Sequence, residues 1–331
     1  MATHTVTTWN AQSIRGVGDA RVERIADAVG RYRPDVLALQ EISSRWDTYA
    51  RLGPLLRAQG LAYSSFSGGT TDSAGKSQRR KDYGNVIASR WPLEPVPWPV
   101  PTTWPQLIAA ADVRLPGHTV RVVSVHIPNG SGNGWQKVYA LEALHQGLLE
   151  TPSNGMVMGD FNEPRAFTPV LRSFRADADG TAEGEWTDKF GQRHARQRWQ
   201  DAVVALFGTD SDWATSRWPG QLATRQVGVN DQATHVLANG SRRYFDHILT
   251  TEPIAVTAVT YDHAVRGGPE PISDHSMVIT KVTLPEKTSH RTDVVGAVDT
   301  PYGRVVWREG PLTDSSRTTN QGPAAADSRE S

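Results

Sequence analysis

The amino-acid sequence predicts an α/β domain in which helices are layered against mixed β-sheets. Short apolar runs rich in β-branched residues, typical of strands, alternate with stretches that carry apolar residues at helical spacing. A Pro116-Gly117-His118 turn joins two predicted strands closely enough for an antiparallel hairpin. Because crossover helices favour parallel neighbours and tight turns favour antiparallel ones, we expect both kinds of pairing.

The first part of the chain alternates strands with helices. The predicted elements are a strand at 3–9, a helix at 20–32, a strand at 35–41 and a helix at 43–59. The Arg33-Pro34 step ends the first helix, because a residue before proline is restricted away from helical angles. The second strand is a short apolar run that closes with a carboxylate, Glu41.

The middle of the chain is dominated by strands. The predicted elements are strands at 61–66, 83–89, 106–115, 119–127 and 155–160, a helix at 135–149, and three late strands within 243–284. A polar, glycine-rich loop occupies 67–82. Between about 172 and 243 the pattern weakens, which indicates a surface excursion with one short helix at 197–208.

Composition limits the domain count and the chemistry. We expect one domain over residues 1–285, followed by a tail at 286–331 that is rich in Ser, Thr, Asp, Arg and Pro and largely disordered. Lysine and arginine number 35, as do aspartate and glutamate, so no net charge indicates a polyanion partner. The absence of cysteine excludes disulfides, thiolate nucleophiles and cysteine-ligated metals.

The sequence shows no sign of secretion or membrane insertion. The N-terminus lacks the basic and apolar regions of a signal peptide, and no apolar run approaches the length of a membrane span. We therefore expect a cytoplasmic, monomeric protein without a membrane partner.

Polar side chains close or follow six of the predicted strands. These residues are Asn10, Glu41, His126, Asp160 with Asn162, Asp246, and Asp274 with His275. Strand ends at one edge of a sheet are where α/β proteins gather their chemistry. Oxygen and imidazole donors without cysteine suit magnesium, manganese or calcium better than zinc or copper.

Each of these residues also has a structural explanation when it is taken alone. Asn10 is explained as a turn residue, and Asp160 with Asn162 as an Asx-turn. Glu41 suits the first turn of the following helix through the helix dipole, and His126 suits a hydrogen-bonded core position. The pairs Asp246-His247 and Asp274-His275 are explained as ordinary polar residues at the edges of strands. Their ordered succession favours a functional site.

The ordered motifs W-N, L-Q-E, S-x-H, G-D-F-N, F-D-H and S-D-H resemble those of the endonuclease/exonuclease/phosphatase superfamily. That group includes deoxyribonuclease I, abasic-site endonucleases, neutral sphingomyelinases and inositol polyphosphate 5-phosphatases. The resemblance spans residues 6 to about 284, and G-D-F-N with a later S-D-H is its most specific part. It implies a four-layered sandwich, with two mixed sheets face to face, helices outside and the active site at one edge.

The resemblance implies a metal site and an activated water. Glu41, with Asn10 beside it, resembles the magnesium-binding carboxylate of the family, and Asp274 resembles a further acid near the metal. Asp160 and Asn162 resemble the pair that positions and activates the attacking water. Mg²⁺ is therefore the expected cofactor, with Mn²⁺ as an alternative.

The resemblance also implies histidines that act on the phosphate. His275 resembles the histidine that contacts the scissile phosphate, and Asp246 resembles the acid that orients it. His126 corresponds to a second histidine kept by the deoxyribonuclease I and sphingomyelinase branches, where abasic-site endonucleases have tyrosine. Gln12 also departs from the aspartate of those endonucleases, so abasic-site repair is disfavoured.

Two segments bear on the substrate. Residues 76–82 place four cations, including Arg79, Arg80 and Lys81, in a loop that suits a phosphate backbone, although a solvated loop explains them equally. Residues 127–135 form a glycine-rich segment that leads into the N-terminus of a predicted helix. There Asn129 and the N–H groups suit an anion, although plain capping also explains them.

Three functional hypotheses remain. The first is a metal-dependent nuclease acting on DNA or RNA. The second is a phosphatase or phosphodiesterase for a small phosphate ester, such as a nucleotide, an inositol phosphate or a phospholipid headgroup. The third is a non-catalytic binding module. Competent residues fill all six motif positions, which argues against the third, and the basic loop favours the first.

Overall fold

The structure is a computed structural model and falls into two units, Met1–Glu286 and Lys287–Ser331. The boundary lies where the composition of the chain turns polar. The residues that it describes are 2–12, 19–44, 48–68, 83–102, 104–129, 134–150, 154–163, 198, 201–203, 206–207, 220–222, 233–237, 239–251, 253–267, 269–285, 294–300 and 303–308.

Strands make up most of the regular structure. They are β1 (Thr3–Asn10), β2 (Val36–Ser43), β3 (Tyr63–Phe66), β4 (Tyr83–Ser89), β5 (Leu93–Val96), β6 (Ile108–Leu115), β7 (His118–His126), β8 (Gly155–Asp160), β9 (Gly220–Leu222), β10 (His235–Val236), β11 (Arg242–Arg243), β12 (Asp246–Thr251), β13 (Ala255–Asp262), β14 (Met277–Thr283), β15 (Val294–Thr300) and β16 (Gly303–Arg308).

Three α-helices are described in full: α1 (Asp19–Gly30), α2 (Thr48–Ala58) and α3 (Gly134–Leu149). Residues 201–203 and 206–207 are also helical. No helix in the described part of the chain is both long enough and apolar enough to cross a membrane.

Two six-stranded sheets form the first unit. The first has the order β13-β14-β1-β2-β4-β3, with β1 and β2 parallel, and the second has the order β5-β6-β7-β8-β12-β9, with β7 and β8 parallel. Antiparallel neighbours complete both sheets, and the predicted Pro116-Gly117-His118 hairpin joins β6 to β7. The prediction of mixed sheets is therefore confirmed.

The two sheets pack face to face, with helices on the outside. Ala38 of the first sheet and Val122 of the second lie in one apolar cluster between the sheets. The neighbouring residues on each strand face the other way, because side chains alternate along a strand. Leu39 packs in the cluster with α1 and α2, and Val123 packs with Leu144 of α3. The four-layered sandwich implied by the resemblance is confirmed.

Buried polar contacts also join the sheets. Gln40 on β2 donates from Nε2 to Ser124 Oγ on β7 at 3.1 Å, and Asn85 on β4 donates from Nδ2 to the Ser124 carbonyl at 3.0 Å. A buried amide without a partner costs about 1–3 kcal/mol. These contacts therefore favour one alignment of the two sheets.

Some element bounds differ from the prediction. The second helix begins at Thr48 rather than at residue 43, because Ser43 still pairs with Tyr83 between β2 and β4. The short strands β9, β10 and β11 lie within 172–243, where the sequence predicts an excursion with one helix. Strands of two or three residues are too short to show a period in the sequence.

The second unit contains a hairpin within the predicted tail. Strands β15 and β16 pair antiparallel, with Thr300 opposite Gly303 at the turn. β-branched residues flank a Pro301-Tyr302-Gly303 turn signal, which is the pattern of a hairpin. The polar composition around this pattern predicts a disordered tail instead, so the hairpin was not expected.

Candidate active site

The strand-end residues of the two sheets meet at one edge of the sandwich. Asn10 closes β1 and donates from Nδ2 to Oδ2 of Asp160, which closes β8 of the other sheet, at 3.0 Å. His126 ends β7 opposite Asp160, because β7 and β8 run parallel. Asp246 begins β12 opposite the same residue, because β12 runs antiparallel to β8. The predicted residues therefore form one cluster.

His275 is buried beside three carboxylates, which favour its protonated form. Its Nδ1 lies 2.7 Å from Oδ2 of Asp246, and its Nε2 lies 3.8 Å from Oδ2 of Asp160. Burial disfavours the charged imidazole, but the carboxylates of Asp246, Asp160 and Asp274 raise the His275 pKa to about 10. With Nδ1 bound to Asp246, the Nε2–H is the proton available to a ligand.

Glu41 and His126 also belong to the cluster around Asp160. His126 Nε2 is 3.5 Å from Oε1 of Glu41 and 3.7 Å from Oδ2 of Asp160. Burial, together with the Asp160 charge, raises the Glu41 pKa to about 7, although the His275 charge opposes this. The same two carboxylates and burial raise the pKa of Tyr83, whose ring lies 5.6 Å from that of His126. Two crowded carboxylates in a buried site favour binding of a cation.

The G-D-F-N segment is both an Asx-turn and a part of the site. The Asn162 main-chain N–H donates to Oδ1 of Asp160 at 2.7 Å, as the structural explanation predicts. The same turn directs Asn162 Nδ2 to the Ile127 carbonyl at 2.8 Å. Gly159 has φ +149°, and a Cβ there would collide with the Val125 carbonyl of β7. Glycine is needed for this close approach of the two strands.

Three non-glycine residues of the site have left-handed backbone angles. Their φ values are +45° at Gln12, +57° at Glu41 and +51° at Asn162. At Glu41 the pairing of β2 with β4 shifts between Leu39 and Ile42, as in a β-bulge. Left-handed angles cost about 1–2 kcal/mol per residue and cluster at functional sites.

Asp274 is held by Gln12 and by a histidine that the sequence analysis missed. Gln12 Nε2 donates to Asp274 Oδ2 at 3.0 Å, and His235 Nε2 lies 3.3 Å from the same atom. Burial raises the Asp274 pKa, but the hydrogen bond to His235 and the nearby imidazole charges outweigh it, so the net shift is downward. The His235 and His275 rings are 4.6 Å apart. No sequence signal pointed to His235, because its strand joins the site by a bridge to a residue 40 positions away.

The predicted substrate contacts are less well placed. Asn129 is exposed and follows Ile127 by two residues, so it lies close in the chain to the carbonyl that Asn162 contacts. Arg79, Arg80 and Lys81 lie outside the described residues. Their predicted role remains a prediction.

Two groups of carboxylate and imidazole side chains in the described ranges lie close together. They are Asp160 with Asp246 and His275, and His235 with Asp274 and His275, with all donor atoms of each group within 4.8 Å. Because a protonated His275 has no lone pair to give, the carboxylate oxygens of these groups are the candidate cation ligands. In the same part of the chain, Oδ1 of Asp246 and Oδ1 of Asp274 are buried without a hydrogen-bond donor. Buried acceptors in excess of donors fit a divalent cation.

Comparison with known sequences and structures shows which proteins this chain is similar to. The sequence profile described as Endonuclease/Exonuclease/phosphatase family matches residues 7–275. No curated protein matches the sequence. A solved 3′ phosphatase NExo from Neisseria, bound to product DNA hairpin, is 19% identical with a TM-score of 0.56, covering 85% of this chain and 99% of the other.

Two further solved structures share the fold. An endonuclease/exonuclease/phosphatase from Beutenbergia cavernae is 19% identical with a TM-score of 0.57, covering 90% of this chain and 74% of the other. A humanized D. rerio TDP2 is 15% identical with a TM-score of 0.56, covering 85% of this chain and 99% of the other. These structures show the shared fold, and the profile match shows that the chain belongs to the endonuclease/exonuclease/phosphatase family of divalent-metal-dependent phosphoester hydrolases.

Proposed function

We propose that this chain is a magnesium-dependent nuclease that hydrolyses phosphodiester bonds of DNA or RNA. The observation that carries the proposal is the position of His275, whose Nδ1 lies 2.7 Å from Asp246 and whose Nε2 lies 3.8 Å from the buried carboxylate of Asp160. A fixed hydrogen-bond donor beside a fixed carboxylate is what hydrolysis of a phosphate ester by water requires.

The hydrogen bonds of the site support separate roles for its residues. Asp160 is immobilised through both oxygens, by Asn10 Nδ2 at 3.0 Å and by the Asn162 N–H at 2.7 Å. In the proposed reaction a water oxygen forms a bond to phosphorus while the bond to the leaving oxygen breaks, and the leaving oxygen takes a proton from solvent. Asp160 accepts the proton of the water. His275 donates from Nε2 to a non-bridging oxygen and offsets the charge that develops there.

The metal site is proposed from the same residues. Glu41 and Asn10, with Asp274 near them, would hold the cation, and their oxygens suit Mg²⁺, with Mn²⁺ as an alternative. When bound, such a cation neutralises the phosphate oxygens.

Nucleic acid is the proposed substrate for two reasons. The solved relatives include a 3′ phosphatase bound to product DNA hairpin and a D. rerio TDP2 complexed with single strand DNA product. The cations at 79–81 in this sequence suit a polynucleotide backbone. A small phosphate ester remains the alternative substrate.

The test is a cleavage assay on supercoiled plasmid, single-stranded DNA and RNA, each with Mg²⁺, Mn²⁺ or a chelator. Asp160→Asn and His275→Ala should abolish cleavage. Asp112→Asn should not, because Asp112 pairs with Arg121 on β6 and β7, outside the cluster. Retained cleavage in both site variants would refute the assignment. Turnover of a small ester alone would replace the nuclease proposal with a phosphatase.

A further inference from the structure

A fully buried lysine lies beneath the G-D-F-N segment. Lys137 of α3 has no exposed surface, and its Nζ donates to the main-chain carbonyl of Asn162 at 3.0 Å and to the carboxylate of Glu163. Removing an ammonium and a carboxylate from water costs several kcal/mol per ion, and an apolar pair of similar volume is often as stable. Stability alone therefore does not explain this ion pair.

The contact falls on a residue with a left-handed backbone conformation. Asn162 has φ +51°, where its N–H reaches Asp160 and its Nδ2 reaches Ile127. Residues with a Cβ favour right-handed or extended angles, although asparagine tolerates left-handed angles better than most. Because a peptide plane moves as a unit, relaxation of Asn162 would turn its carbonyl away from Lys137 and displace its side chain.

Among the described residues, other contacts hold the next residue but not this carbonyl. His247 Nε2 lies 2.8 Å from the Glu163 carbonyl, so the far end of the segment is tied to β12. The charge-assisted bond from Lys137 acts on the Asn162 carbonyl itself, and such bonds are about twice as strong as neutral ones.

We infer that Lys137 is a positioning residue. It holds Asn162 in its left-handed conformation and thereby orients Asp160 to accept the proton of the attacking water. The inference rests on the proposed function for its effect on turnover. Its effect on the Asn162 backbone is independent of the substrate. Helix α3 thus supports the site from the outer layer of the sandwich.

The experiment separates positioning from stability. Lys137→Met alone leaves Glu163 buried without its cation and destabilises the protein, so the informative variant is K137M/E163M, which replaces the pair by apolar side chains. Its denaturant midpoint should stay near that of the wild type. Its kcat should fall about 100-fold with little change in KM, the size of effect expected when a reacting group is displaced by about 1 Å.

A matched control replaces an ion pair elsewhere. D112M/R121M removes a pair on β6 and β7 in which Arg121 lies five residues along β7 from His126, and its kcat should equal that of the wild type. Wild-type kcat in K137M/E163M with unchanged stability would overturn the inference.

A second measurement does not need turnover. Hydrogen exchange at the Asn162 amide, which donates to Asp160 Oδ1, should be faster in K137M/E163M than in the wild type, whereas exchange at Met158 of β8 should not change. Equal exchange at Asn162 in both proteins would overturn the inference even if no phosphoester were hydrolysed. Absence of wild-type turnover with faster exchange would instead refute the proposed function alone.

Discussion

Replacing Glu41 by glutamine should stabilise the metal-free protein while it destroys the metal site. Glu41 is largely buried, with 17% of its side-chain surface accessible. Its carboxylate lies 3.5 Å from His126, and Asp160 lies near the same imidazole nitrogen at 3.7 Å. Burial and the Asp160 charge raise its pKa from 4.5 to about 7. Glutamine keeps the shape of the side chain and removes the charge.

The magnitude follows from this pKa difference. Below pH 4.5 the folded and unfolded chains both carry the proton. Between pH 4.5 and about 7 the unfolded chain releases a proton that the folded chain keeps, so the stability of the metal-free protein falls as the pH rises. Above about pH 7 the loss is complete and amounts to about 3 kcal/mol, at about 1.4 kcal/mol per pH unit. This figure is an upper bound for the gain from Glu41→Gln.

The assay is urea unfolding of both proteins in a chelator at about pH 8 and about pH 4, followed by titration with Mg²⁺. The variant should be more stable by up to about 3 kcal/mol at the higher pH and nearly equal to the wild type at the lower pH. Added Mg²⁺ should raise the midpoint of the wild type and leave that of the variant unchanged.

A surface control removes non-specific charge effects. Glu94→Gln changes an exposed carboxylate that pairs with Arg114, so its stability should follow the wild type within about 0.5 kcal/mol. The reasoning would be refuted by a loss of stability in Glu41→Gln at about pH 8, or by an equal gain at both pH values. An unchanged Mg²⁺ response in that variant would remove Glu41 from the metal site.

Three further predictions concern the imidazole, the basic loop and the metal. Because His275 keeps its proton to about pH 10 in the folded state and to about pH 6.5 when unfolded, its stabilising contribution is present below pH 6.5 and is lost as the pH rises to 10. Unfolding of Asp246→Asn across this window should show a shallower loss, and a slope equal to the wild type would contradict the pairing. Replacing Arg79, Arg80 and Lys81 by glutamine should weaken binding of single-stranded DNA and reduce its salt dependence in a filter-binding titration, whereas an effect on small-ester turnover alone would assign the loop another role. Treatment with chelator should abolish cleavage by the wild type, and Mg²⁺ or Mn²⁺ should restore it, whereas chelator-resistant cleavage would exclude a metal requirement.

Much of the site was predictable because its residues follow strands. Asn10, His126 and Asp160 each close a strand. A strand that is buried on both faces can be recognised in the sequence as a short run of apolar residues. The edge at which parallel strands end then places their terminal side chains together without further information. The roles assigned to these residues remain predictions that the proposed assays test.

Other parts of the site were not predictable from local patterns. His235 reaches Asp274 through a two-residue strand and an isolated bridge, and neither leaves a periodic signal. Lys137 is one cation on a helix whose sequence gives no reason to bury it, until Asn162 and Glu163 are placed beneath that helix. Both depend on pairings between segments far apart in the chain.

The sequence by itself determined the alternation of strands and helices, the mixed sheets, and the residue types available for phosphoester chemistry. Those features depend on local periodicity, on turn residues and on the identity of each side chain, and all three can be observed in the sequence. Only the tertiary structure decided which charges face each other. The pKa values of His275 and Glu41 depend on burial and on carboxylates more than 25 residues away, and electrostatic free energy depends on distance in space rather than in sequence.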